Sequence, residues 1–209
     1  MFWVHGIPWE VTPRERLSTA RLYLVCPARE REWIAAAVRG GVDLIQLRDK
    51  ALDDDGLVAA SEAFRGHDAL FILNDRPELV DACGADGVHV GQDDLSPAQA
   101  RALVGPERVV GRSTHEPAQA ADADGDPDVD YFAVGPVHAT PTKPGRPAAG
   151  LDYVSSIQSE KPWFAIGGLD AGNVHEVVER GASRIVVVRA ITEAEDPEAA
   201  ARALRAALA

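Results

Sequence analysis

Gln46, Arg48 and Lys50 stand at alternate positions where the apolar run Gly41-Val42-Asp43-Leu44-Ile45 ends. Such a run reads as a buried strand. Alternation along it puts those three side chains on one face and Ile45 and Leu47 on the other. An amide and two cations make a poor hydrophobic core but a good seat for a polyanion. Arginine supplies a planar fork and lysine a movable point charge. The next two apolar runs end in carboxylates, Asn74-Asp75 and Gly91-Gln92-Asp93-Asp94. Asp75 and Asp94 on adjacent strand ends can hold one Mg²⁺ that keeps several waters and takes its remaining ligands from phosphates. Each motif alone has a plainer reading. The first is a solvated strand end, Asn74-Asp75 before Arg76-Pro77 is an N-cap, and Asp93-Asp94 is a turn and a cap.

The same polar punctuation recurs after later apolar runs: Ser113-Thr114-His115, then 135–146 with Gly, Pro, Thr and Lys143, then Gly167-Gly168, then Arg189-Ala190. Basic residues here are overwhelmingly arginine. The lysines are Lys50, Lys143 and Lys161, and two of them lie in the most polar loops, where a compact ammonium suits a phosphate. Gly167-Gly168 permits close approach of backbone. With the Val188-Arg189 turn it offers amide N–H groups to a second anion. His115 and His138 read as ordinary loop histidines, and His5, His67, His89 and His175 as structural.

The elements that must position these residues alternate strictly. Apolar runs predict strands over 21–25, 42–47, 69–73, 87–90, 108–111, 131–134, 163–166 and 184–188. Amphipathic or capped segments predict helices over 29–39, 57–64, 78–83, 97–104, 117–123, 153–158, 171–180 and 197–208. Ser96 with Pro97 marks a helix start, and Gly181 a helix end. The strands are near-continuously apolar, as parallel strands covered on both faces are. Eight such units with no break predict an α/β closed parallel (β/α)8 TIM barrel rather than an open sheet. Residues 1–20 form an N-terminal extension in which 14–20 suits a short helix packed beneath the barrel, and 21–209 form the barrel itself. In such barrels the site lies at the C-terminal ends of the strands, where the polar residues above collect.

Composition narrows the partners. At 209 residues the chain is one domain by length, and its 46% hydrophobic and 26% charged content is ordinary for a soluble protein. A net charge of −12 argues against non-specific nucleic-acid binding. Cys26 and Cys83 have neither disulfide nor zinc spacing, and no run reaches the length of a membrane span, so a cytoplasmic setting is expected. Oligomeric state is not readable.

Taken in order, Gln46-x-Arg48-x-Lys50, Asn74-Asp75, Gly91-Gln92-x-Asp94, Gly111-x-Ser113-x-His115, Gly135-Pro136, Thr140-x-Thr142-Lys143, Gly167-Gly168 and Arg189-Ala190-Ile191 resemble the thiamine phosphate synthase (thiamine-phosphate pyrophosphorylase) family from about Arg21 onward. The resemblance implies a barrel that joins a hydroxymethylpyrimidine diphosphate to a hydroxyethylthiazole phosphate with release of pyrophosphate. It implies that Gln46, Leu47, Arg48, Asp49, Lys50, Asn74, Ser113 and Lys143 contact the pyrimidine diphosphate. Asp49, on the opposite strand face, reads as structural within that set. It implies further that Asp75 and Asp94 bind Mg²⁺, and that Thr140, Pro141, Thr142, Gly168, Val188 and Arg189 hold the thiazole phosphate. Arg48, Lys50, Lys143 and Ser113 are the candidate catalytic groups. The implied mechanism is dissociative: pyrophosphate leaves, and the thiazole nitrogen captures the pyrimidinylmethyl cation. That nitrogen carries no proton, so no general base is needed, and leaving-group electrostatics and positioning do the work. Arg189 departs from the small hydroxyl residue many members carry there, and Pro141 stands where the family varies.

Other readings predict other residues. A thiazole tautomerase-like isomerase would use His115 as acid–base group and has no use for a diphosphate site. An aldolase or sugar-phosphate isomerase calls for a Schiff-base lysine within a strand or a paired acid and base. A non-catalytic phosphate-binding barrel predicts decay among the loop charges, and none is seen.

Overall fold

The computed structural model describes residues 11–139 and 148–208. Strands β1 (Leu22–Cys26), β2 (Leu44–Leu47), β3 (Leu70–Asn74), β4 (Gly87–Val90), β5 (Val109–Thr114), β6 (Tyr131–Val134), β7 (Trp163–Ile166) and β8 (Ile185–Val187) close into a parallel barrel in chain order. β1 pairs with both β2 and β8, which seals the sheet. The TIM-barrel reading is therefore correct.

Period-two alternation divides the core into two shells. Inside the barrel, Tyr23, Val25, Leu44, Leu70, Ile72, Val109, Tyr131, Phe164 and Val186 pack together. The intervening residues, among them Leu24, Ile45, Leu47, Leu73, Val88 and Val90, face the helical layer. Helix α1 (Pro13–Thr19) closes the floor, inserting Leu17 with Ala20 into the inner shell. A Thr12–Glu15 capping box starts it. The outer layer contains α2 (Arg31–Arg39), α3 (Asp54–Ser61), a 3₁₀ turn (Pro77–Leu79) running into α4 (Val80–Cys83), α5 (Pro97–Val104), α6 (Pro117–Gly125), α7 (Gly150–Ser155), α8 (Val174–Glu179), α9 (Arg189–Thr192) and α10 (Pro197–Ala206).

Three aspartates tie the floor. Asp43 Oδ2 accepts from the amides of Arg21 and Leu22 at 2.7 and 2.9 Å. Asp86 Oδ2 accepts from Phe71 N at 2.8 Å, and Asp130 Oδ2 from Val110 N at 2.7 Å. Each carboxylate precedes an even-numbered strand and fixes the start of the odd strand before it.

The boundaries differ from expectation in places with physical causes. α3 starts at Asp54, not 57, because Asp53 caps it by accepting from Gly56 N. The predicted helix 78–83 begins as the 3₁₀ turn, and 171–173 is a turn before α8. β5 runs to Thr114 rather than 111. Its polar end is sheltered because Thr114 Oγ1 bonds to Ala133 O and to Tyr153 Oη, at 2.9 and 2.7 Å. α9, a four-residue helix directly after β8, had no counterpart in the sequence reading.

Candidate active site

The C-terminal mouth of the barrel holds a cavity in two lobes. The larger, of about 260 Å³, lies over β5–β8 and is lined by Ser113, His115, Gly167, Gly168, Val188 and Arg189, among others. The smaller, of about 140 Å³, reaches from β1 across the barrel mouth and is lined by Gln46, Arg48, Asn74, His89 and Ser113, among others. Ser113, Ala133, Ile166, Val186 and Val188 line both, so the lobes meet over Ser113.

In the smaller lobe, Gln46 is buried and inward-facing, and its Nε2 donates to Tyr23 Oη at 2.5 Å. Arg48 is half-buried on the same face, and Lys50 is exposed beyond it. The alternation read from the sequence holds through Leu47, whose buried side chain belongs to the outer shell and not the cavity. Asp49 Oδ2 accepts from Ala28 N and its Oδ1 from Ala51 N, at 3.2 and 3.1 Å. It organises the loop that carries Arg48 and Lys50.

Asp75 and Asp94 come together. Burial raises the Asp75 carboxyl above the usual range, and the neighbouring Asp94 raises it further, while Asn74 and Lys50 pull it down. Asp75 also has φ 60°, a left-handed backbone on a residue with a Cβ. The plain N-cap reading does not describe it: Arg76, at the N-cap position of the 3₁₀ turn, makes no side-chain cap bond. Asp94 Oδ2 accepts from Gly91 N at 2.7 Å, which keeps the turn expected of it. Arg112, pointing out from β5, clamps that loop through Gly91 O at 2.7 Å, and Gln92 Nε2 donates to Ser113 O at 2.6 Å. Two carboxylates forced close, one strained and inclined to hold a proton, fit a hard divalent cation of the Mg²⁺ kind. Among the described residues no cluster of three or more His, Cys, Asp or Glu side chains forms a closed cage.

In the larger lobe, Gly167 and Gly168 have φ of 113° and 66°, so both peptides adopt conformations that glycine favours. Asn173 Nδ2 donates to Gly168 O at 2.8 Å and fixes that peptide. Asp170, also on the wall, is engaged with the amides of Gly172 and Asn173. Arg189 is exposed at the start of α9. The first-turn N–H groups of any helix lack intrahelical acceptors, and here they adjoin the glycine loop. His115 Nδ1 lies 2.7 Å from Gly135 O. Thr140, Pro141, Thr142 and Lys143 lie outside the described residues.

His89, expected to be structural, stands in the wall of this cavity. It lines the smaller lobe, with Nε2 2.9 Å from Ser113 Oγ and Nδ1 3.2 Å from Tyr131 Oη. The signal was available: alternation along β4 puts His89 on the inner face with Gly87.

A family model described as thiamine monophosphate synthase matches residues 22–191. A thiamine-phosphate synthase of Thermobifida fusca is 50% identical over 206 residues, covering 93% of this chain and 94% of the relative. One of Saccharopolyspora erythraea is 51% identical over 213 residues, covering 93% and 96%. Among solved structures, thiamine phosphate pyrophosphorylase from Pyrococcus furiosus superposes with a TM-score of 0.81 at 29% identity, covering 93% of this chain and 96% of that one. A 3-hexulose-6-phosphate synthase, at 23% identity and a TM-score of 0.64, shares the fold.

Proposed function

The chain belongs to the thiamine monophosphate synthase family and is a transferase of that type, and we propose that its two lobes seat the two substrates of that reaction. The smaller takes 4-amino-2-methyl-5-(diphosphooxymethyl)pyrimidine, and the larger takes 4-methyl-5-(2-phosphooxyethyl)thiazole. The observation that carries this reading is the junction of the lobes over Ser113. A displacement needs its electrophilic carbon and its nucleophile side by side.

Gln46, Asn74 and Ser113 surround the pyrimidine, while Arg48 and Lys50 face the diphosphate. Lys143 is expected to join them. Leu47 contributes by packing the strand outward, and Asp49 by holding its loop. Asp75 and Asp94 are the residues that would hold Mg²⁺, whose charge, when bound, offsets that building up on the diphosphate. Their mutual repulsion supports this assignment. The Gly168 peptide and the Val188-Arg189 turn hold the thiazole phosphate, and Thr140, Pro141 and Thr142 are expected to join them.

The bond from the pyrimidine methylene carbon to the diphosphate oxygen breaks with both electrons leaving on oxygen. Arg48 and Lys50 stabilise the departing charge. The thiazole nitrogen lone pair then forms the new C–N bond, and no proton has to be removed from it. The apolar side chains of Ala133, Ile166 and Val188 line the junction and offer the cation no nucleophile between these events. The partners in this reading are small molecules, neither nucleic acid nor membrane. A cytoplasmic setting accords with the free, buried Cys26 and Cys83. Among the described residues no helix is long and apolar enough to cross a membrane.

With Mg²⁺ and both substrates the purified protein is expected to release pyrophosphate and form thiamine phosphate, and Asp94→Ala to lose most of that rate. A protein that binds the thiazole phosphate yet forms no product would refute the assignment.

A further inference from the structure

Along the wall of the smaller lobe a line of hydrogen bonds crosses the barrel interior from β2 to β5. Gln46 Nε2 lies 2.5 Å from Tyr23 Oη, and Tyr23 Oη lies 2.9 Å from Tyr131 Oη. Tyr131 Oη lies 3.2 Å from His89 Nδ1, and His89 Nε2 lies 2.9 Å from Ser113 Oγ. The line is built in. Tyr23, Tyr131 and Phe164 lock one another edge to face, with ring centroids 5.5 to 5.9 Å apart. In the strand register Gly111 sits between His89 and Tyr131. A Cβ there would come within 2.2 Å of Tyr131 Cζ and 2.5 Å of His89 Nδ1. The glycine of the Gly111-x-Ser113 motif is thus explained by close approach.

The line also has a direction. An amide nitrogen only donates, so Tyr23 Oη accepts from Gln46. Burial holds both phenols protonated, so each has one proton to give. Tyr23 cannot give its proton back to that nitrogen; it borders the smaller lobe, but its side chain is buried and the hydrogen-bond acceptor within reach of its hydroxyl is Tyr131 Oη, so it donates there. Tyr131 then donates to His89 Nδ1, which must be the unprotonated ring nitrogen. The ring proton therefore sits on Nε2 and is given to Ser113 Oγ, leaving the serine hydroxyl proton to point into the cavity.

We propose that Tyr131, acting through His89, is a positioning residue that holds the Ser113 hydroxyl as a donor toward the pyrimidine substrate. Tyr131 is buried and lines neither lobe, so it acts without touching substrate. The proposal rests on the reading above in placing the pyrimidine beside Ser113. The hydrogen-bond direction does not depend on it.

The test combines imidazole-nitrogen NMR of the ligand-free full chain, with His89 assigned by His89→Gln, and steady-state kinetics with Mg²⁺ and both substrates. The wild type is expected to carry its His89 proton on Nε2. Tyr131→Phe keeps the ring and cuts the line. It should move the Nδ1 signal and lower kcat about five- to tenfold, the loss of roughly one hydrogen bond, with KM for the thiazole phosphate little changed. In a Ser113→Ala background the same substitution should cost less than about twofold, because the two act as one unit. A wild-type proton on Nδ1, or a Tyr131→Phe loss as large without Ser113 as with it, overturns the proposal. If the wild type forms no product, the substrate assignment fails, and the position of the His89 proton still decides the direction of the line.

Discussion

Replacing Asp94 by asparagine separates the charge of the carboxylate pair from its shape. The side-chain oxygen can still accept the Gly91 N–H that Asp94 Oδ2 accepts at 2.7 Å, so the loop survives. What changes is the field at Asp75, whose carboxyl is raised first by burial and then by Asp94. Two unit charges about 4 Å apart at an effective dielectric near 20 repel by about 4 kcal/mol. Asp94 is exposed, so solvent and salt reduce this to on the order of 1 kcal/mol. Asp94→Asn should therefore leave the metal-free protein as stable as wild type or raise Tm by about 2–4 °C, given the usual conversion for domains of this size. Mg²⁺ at about a hundred times its Kd should stabilise the wild type by about 2.7 kcal/mol, or roughly 5–10 °C. The variant should lose most of that shift. The carboxyl of folded Asp75 is raised, so the contribution of this group to the stability of the metal-free protein grows as pH falls through its folded value. The Mg²⁺ shift should shrink over the same range, because the cation must displace a proton. Thermal melts with and without Mg²⁺ at neutral and mildly acidic pH read all of this. A full Mg²⁺ shift in Asp94→Asn, or a wild-type shift indifferent to pH, would refute the reasoning.

Arg189→Ser tests the larger lobe. Arg189 is exposed at the start of α9 beside the glycine loop, so a screened charge contact to the phosphate is expected to raise KM for the thiazole phosphate about three- to tenfold with kcat nearly unchanged; an unchanged KM would show the side chain uninvolved. At the other end of the barrel, Asp130 accepts from Val110 N at 2.7 Å, Arg101 at 2.5 Å and Arg14 at 2.7 Å. Asp130→Ala leaves the buried Val110 amide without its acceptor and the largely buried Arg101 guanidinium without its counter-charge, though Arg101 still donates to Gly105 O, Arg108 O and Asp128 O, so a loss of about 3 kcal/mol is expected. Melting should fall by about 6–12 °C, while kcat of the remaining folded enzyme stays within about twofold.

The sequence by itself determined the barrel and pointed to its C-terminal mouth as the candidate site. Parallel strands buried on both faces must be apolar throughout, so polar residues can gather only where strands end, and Gln46, Arg48, Asn74, Asp75 and Gly168 marked those ends. Alternation also separated Gln46 from Leu47 correctly, because the pleat admits no other arrangement. Other features needed three dimensions. α9 is one turn long, too short to show a helical period. β5 ends in Arg112-Ser113-Thr114, which looks like loop, yet Tyr153 and Ala133 satisfy Thr114 from other elements. Alternation puts His89 on the inner face of β4, but what it meets there does not show locally, because its partners Tyr131 and Ser113 are 42 and 24 residues away. Asp75 and Asp94 could be read as caps until closure of the barrel brought their carboxylates together. A hydrogen bond or a like-charge contact between distant residues exists only once the chain has closed on itself, and that is what tertiary structure decided here.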